Sequence, residues 1–260
     1  MNLRILSLVL ALFSITLEAK TVIHVGSLFN SETGSLEPEM SIVIEGDRIS
    51  SVIEGFINPD PDDLYIDLTG YYVLPGLIDM HVHLTNVSSN KAYLERVTLN
   101  PADYAIRATK NAENTLLSGF TTVRNLGDSA SVTVALRNAI NADIVSGPRI
   151  FTSGTTISST GGHGDASNSL NLNLTSDLGP KDGVMNGVED AVKSVRFRYK
   201  ENADLIKITA TGGVLSNAKN GQNPQMTLQE ITAIVNIAKD YDFKVAAHAH
   251  GAEGIKRATL

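Results

Sequence analysis

The chain has 260 residues, 42% of them hydrophobic, and a formal net charge of −7 from 28 acidic and 21 basic residues. That suffices for a buried core in one large or two smaller domains, and an acidic balance without a long basic run argues against nucleic-acid binding. There is no cysteine, which excludes disulfides, thiolate nucleophiles and thiolate zinc sites, so any metal must be held by nitrogen and oxygen donors.

The N-terminus, "MNLRILSLVLALFSITLEAK", places Arg4 before an apolar stretch from Ile5 to about Leu17 and then small Ala19. This is the layout of a secretory signal, and residues 1–19 are assigned to one. The stretch falls short of the roughly 20 apolar residues a membrane span needs. The expectation is an exported, periplasmic or secreted protein with no stable membrane span once the signal is removed. An anchoring tail or a buried first strand is the plainer alternative.

Residues 20–75 read as short β-type runs, "TVIHVGSLF", "SIVIEGDRISSVIE" and "LYIDL", broken by Gly, Pro, Asn and Asp. "EGDR" between two β-branched runs signals a hairpin, and a small β-sandwich module is expected. From 76 to 260 apolar strand-like runs alternate with helical stretches. "LIDMHVHL", "TTVRNLG", "RIFTSGTT", "LIKITA" and "KVAAHAH" are separated by helical 101–118, 130–142, 187–201 and 227–240. In the last of these Leu228, Ile231, Val235 and Ala238 form an amphipathic stripe, and Thr227 with Glu230 makes a capping box. Such alternation implies a parallel α/β sheet, open or closed as a barrel. No nucleotide-binding glycine pattern follows any of these strands. The Gly-, Asn-, Ser- and Asp-rich segment 160–186 is long for a connection and reads as a functional loop.

Side chains two apart on a strand share a face, so His81 and His83 aim together at the end of their strand, where parallel α/β barrels place their chemistry. Alone, such a pair is as compatible with surface decoration as with a metal whose imidazole ligands sit about 2 Å away. "ADLIKITATGG" sets Leu205, Lys207 and Thr209 on one face and Ile206 and Ile208 on the other. A lysine inside a buried apolar strand requires compensation. Either a carboxylate pairs with it, or carbon dioxide carboxylates the amine, turning a cation into an anionic ligand able to bridge two metals. "VAAHAHGAEG" then repeats the paired-histidine pattern with His248 and His250. His24 has no partner histidine nearby and reads as structural; Arg124, Asn125 and Asp128 are assigned no role.

"LPGLIDMHVHL", "SGFTTVRNLGD", "TGGHGD", "ADLIKITATGG" and "VAAHAHGAEGI", in this order, resemble the amidohydrolase superfamily. The likeness is to its branch of metal-dependent prolidases and C-terminal-residue carboxypeptidases, related to imidazolonepropionases. It covers nearly all of the chain after the signal. It implies a TIM-like (β/α) barrel, of which about five of eight strands are present, behind the β-sandwich module. It implies that His81 and His83 bind one metal, that carboxylated Lys207 bridges two Zn2+ ions, and that His248 binds the second. His163 would polarise the substrate carbonyl and His250 would contact substrate; the competing assignment makes His250 the ligand with Glu253 behind it. The implied activity is metal-dependent hydrolysis of amide or peptide bonds in a small peptide or amide substrate, in a chain that could self-associate as a homo-oligomer.

Family members carry a further metal-binding His after the sixth strand and an Asp after the eighth, and this sequence reaches neither. It therefore reads as the front portion of such an enzyme, expected to be inactive or poorly soluble alone. The alternatives are a non-catalytic metal-binding protein and a mononuclear cyclic-amide hydrolase or deaminase, a class that generally lacks the bridging lysine.

Overall fold

The computed structural model describes residues 19–86, 90–216 and 219–260; the expected signal, save its last residue, lies outside them. Two units divide between Pro75 and Gly76.

The first unit is one four-stranded sheet. Strands β1 (Thr21–Asn30), β2 (Ser35–Glu45), β3 (Arg48–Glu54) and β4 (Leu64–Val73) lie in the order β3-β2-β1-β4. The β2–β3 pair is antiparallel and closes with Glu45 opposite Arg48, which places the "EGDR" turn at the hairpin tip. β1 pairs with β4 in parallel. Val25, Met40 and Ile42 are its buried core, and the second layer of a sandwich is not among the described residues. His24 is buried beside this core and spends both ring nitrogens on protein. Its Nε2–H donates to the Ile57 carbonyl at 2.8 Å, its Nδ1 meets the Tyr65 hydroxyl at 3.1 Å, and Phe56 stacks on the ring.

The second unit alternates strand and helix. In chain order come β5 (Leu77–Val82), α1 (Ala92–Thr98), α2 (Pro101–Leu117), β6 (Phe120–Asn125), α3 (Val132–Asn141) and β7 (Arg149–Thr152). Then follow the two-residue strands β8 (Ser158–Ser159) and β9 (Val184–Met185), α4 (Gly187–Lys200), β10 (Ile206–Thr209), α5 (Leu228–Asp240), β11 (Val245–His248) and α6 (Ala252–Thr259). β5, β6 and β7 form one parallel ladder and β10–β11 another. A single parallel bridge from Ile157 to Ile208 joins the chain after β7 to β10. The described strands do not close into a barrel.

Helices cover one side of each ladder. Val123 and Ile150 pack against Ala108 and Ala112 of α2 and Val132 and Leu136 of α3. Ile206 and Ile208 pack against Ala191 and Val195 of α4 and Ile231, Ile234 and Ala238 of α5. The α5 start uses the anticipated box: Thr227 Oγ1 accepts from the Glu230 amide while Glu230 accepts from the Thr227 amide at 2.8 Å. The second Glu230 oxygen accepts from the Gly187 amide, so one carboxylate ties the starts of α4 and α5 together. Segment 160–186 is largely turns, pinned at its base by the β8–β9 pair. Helix α1 was not anticipated; its seven residues bury none of their side chains, so no hydrophobic stripe announces it.

Candidate active site

Parallel strands whose helix-free side chains agree in direction create a cavity of about 590 Å³ in the second unit. His81, His83, His163, Lys207, His248 and Asp128 are among its lining residues. A larger, shallower groove of about 840 Å³ between α4 and α5 is lined by no histidine; the clustered imidazoles and the buried lysine belong to the smaller cavity.

His81 is the penultimate residue of β5 and His83 lies just past its end, the rings edge-to-face at 5.2 Å. The segment that carries His83 is held by two asparagines. Asn125 Oδ1 accepts from the Leu84 amide at 2.8 Å and Asn111 Nδ2 donates to the Leu84 carbonyl at 2.7 Å. Buried Asn125 also donates to the Gly127 carbonyl, which accepts His83 Nδ1 at 3.2 Å. A carbonyl only accepts, so Nδ1 carries the proton and the His83 Nε2 lone pair is left free. Gly127 has φ +137°, and a Cβ there would come within 2.5 Å of Thr156 Oγ1. The positive φ and the contact with Thr156 both favour glycine in the turn that presents this carbonyl to His83.

Lys207 is central in β10, with 4% of its surface exposed. It has no acidic partner within ion-pair distance among the described residues, so the carboxylate-pairing alternative finds no partner. Burial first, and the neighbouring Arg124 charge second, push its amine down to about 8. Thr209 is opposite His248 in the β10–β11 register, and Lys207 lies two residues back on the same face. His248 Nε2–H donates to the Gly212 carbonyl at 3.0 Å, which leaves Nδ1 as its free lone pair. His250 follows the strand, is exposed and does not line the cavity; its ring stands edge-on to His248 at 4.8 Å. Glu253 is engaged with Arg257 at 2.9 Å on α6.

His163 stacks on His248 with ring centroids 4.2 Å apart. Its backbone N–H donates to Gln225 Oε1 at 2.8 Å and its Nδ1 meets Ser216 Oγ at 2.6 Å. Both rings crowd Gly213, where a Cβ would stand 2.7 Å from His248 Nε2 and 2.9 Å from His163 Cε1. Burial, reinforced by the charges His248 and Lys207 would carry, lowers His163 to about 4. Burial also lowers His81 and His248. These three rings are therefore neutral at physiological pH, with lone pairs available.

The donor chemistry fits a nitrogen- and oxygen-ligated metal, since two imidazoles present a freed lone pair and a buried amine of lowered pKa is the species that reacts with carbon dioxide. Among the described residues no three His, Asp or Glu side chains converge closely enough to hold an ion by themselves. A carboxylated Lys207 is what would add the anionic oxygens such a site needs.

Residues 72–260 match the amidohydrolase family. The chain belongs to that family. A solved Xaa-Pro dipeptidase with methionine in its active site is 49% identical, with a TM-score of 0.88 over 92% of this chain and 59% of that one. A prolidase complexed with N-methylphosphonate-L-proline is 34% identical, with a TM-score of 0.82 over 93% of this chain and 59% of that one. Ochratoxinase of Aspergillus niger is 31% identical over 202 residues, 72% of this chain and 41% of the relative. This amidohydrolase-family chain thus spans well under two thirds of these relatives' length.

Sequence reasoning did not find Asn111, Gln225 or Ser216, and it gave Asn125 no role. Their partners lie 27, 62, 53 and 41 residues away, respectively, so no local spacing marks them.

Proposed function

We propose that the complete protein is a binuclear zinc hydrolase of amide bonds, a dipeptidase or carboxypeptidase, acting outside the cytoplasm after export. The five parallel strands are read as the first five of an eight-stranded barrel, and the four-stranded sheet as part of its accompanying β-sandwich. The observation that carries the reading is Lys207, buried without an acidic partner among the described residues, in a cavity it shares with four histidines. Support for the substrate class comes from likeness to a Xaa-Pro dipeptidase, a prolidase and an ochratoxinase.

His81, His83 and His248 would hold the metals, with Lys207 as a bridging carbamate. When bound, such a metal pair supplies a hydroxide at neutral pH and polarises the substrate carbonyl. Asn125 and Gly127 orient His83, and Gly212 orients His248, each by fixing which ring nitrogen bears the proton. His163, neutral and anchored at its backbone by Gln225, would donate to the substrate carbonyl oxygen. By the resemblance, one more ligand and the proton-shuttling carboxylate come from the part of the relatives that this chain does not span.

The test is metal analysis and dipeptide hydrolysis on the complete protein. Two zinc ions per chain are expected, and Lys207→Ala should lower both zinc content and turnover, the latter by about a thousandfold or more, the scale of metal-borne charge stabilisation. One zinc per chain, retained in that variant, would instead favour the mononuclear deaminase-like reading.

A further inference from the structure

The loop between β10 and α5 touches both stacked histidines, and it does so through different atoms with opposite consequences. Gly212 takes a proton donor from His248 through its carbonyl. Ser216 meets His163 through a hydroxyl, which can donate or accept. Two observations decide the direction. Ser216 Oγ already accepts the Gly213 N–H at 2.9 Å, and among the described residues His163 Nδ1 is the one acceptor within reach of its proton.

We propose that Ser216 is a positioning residue that donates its hydroxyl proton to His163 Nδ1 and thereby fixes the neutral ring as the Nε2–H tautomer. The two stacked rings then have complementary assignments. His248 bears its proton on Nε2 and offers the Nδ1 lone pair, whereas His163 accepts at Nδ1 and offers an Nε2–H. That Nε2–H has no partner among the described residues, and the ring lines the cavity. An N–H donor is what a carbonyl oxygen gaining negative charge requires, and a lone pair in its place would repel it. This catalytic consequence rests on the amide-hydrolase reading; the tautomer itself does not.

The proposal is tested by long-range proton–nitrogen NMR of the complete, metal-free protein with 15N-labelled histidine, at mildly alkaline pH, with His163→Asn identifying the His163 signals. The expected result is a His163 pattern with pyridine-type Nδ1 and pyrrole-type Nε2. In Ser216→Ala that pattern should give way to a mixture or to the opposite tautomer, and Ser216→Thr, which keeps the hydroxyl, should restore it. A wild-type ring protonated on Nδ1, or a His163 pattern unchanged in Ser216→Ala, would overturn it. If Ser216→Ala does not fold, the wild-type pattern decides alone. Because the readout needs neither metal nor substrate, a failed hydrolase reading leaves it intact.

Discussion

The four-stranded sheet and the cavity of the second unit treat histidine in opposite ways. His24 is buried with both ring nitrogens committed to protein and a ring stacked on it. His83 and His248 each commit one nitrogen to a backbone carbonyl and keep the other free. The second unit repeats the contrast with cations. Arg198 is fully buried, yet it donates to the Thr155 and Lys181 carbonyls and pairs with Glu201 at 3.1 Å, at an angle short of a hydrogen bond. Lys207 is nearly as buried and has no such partners among the described residues. A polar group whose capacity is spent within the fold stabilises the fold; one left with spare capacity in a cavity is available for chemistry.

Removing the two buried cations is the largest way to break this comparison. Arg198→Met should lower stability by about 3–5 kcal/mol, because two carbonyls and Glu201 lose their partner. Lys207→Met should leave stability unchanged or raise it by about 1–3 kcal/mol, since it removes an uncompensated buried amine. Urea unfolding of the complete, metal-free protein measures both, and a comparable loss in the two variants would end the distinction.

The histidines give the next effect. His24→Leu should cost about 1–3 kcal/mol by leaving the Ile57 carbonyl unpaired. His81→Leu should change stability by less than about 0.5 kcal/mol, because its ring makes no hydrogen bond among the described residues. Thermal unfolding of the two variants side by side checks the difference.

Asp128 sharpens the comparison with the smallest effect. One of its oxygens accepts from the Thr133 amide and hydroxyl, while the other is buried without a partner. Burial raises its carboxyl above the ordinary 3.8, with the Thr133 bonds opposing. A raised folded value means the fold favours the protonated acid. Its stabilisation is full below the unfolded value and is lost as pH climbs through the folded one. Asp128→Asn, which stays uncharged, should therefore gain on the wild type as pH rises above the ordinary carboxylate range. Stability curves that stay parallel from acid to neutral pH would show that burial does not act on this group.

The sequence by itself determined the strand–helix alternation, the β2–β3 hairpin and the capping box of α5, because each follows from periodicity or from residues within a few positions. It also singled out Lys207, since a charge inside an apolar strand stands out against its neighbours. Helix α1, with no buried face, left no such mark. Only the tertiary structure decided that Lys207 has no acidic partner among the described residues, that His248 rather than His250 lines the cavity, and that Asn125, Gly127 and Gly212 set the protons on their rings. Those facts depend on contacts between segments tens of residues apart, and a hydrogen bond's donor and acceptor need share no pattern in the chain. Spacing along a strand says which way a side chain faces, and only the packed fold says what it meets there.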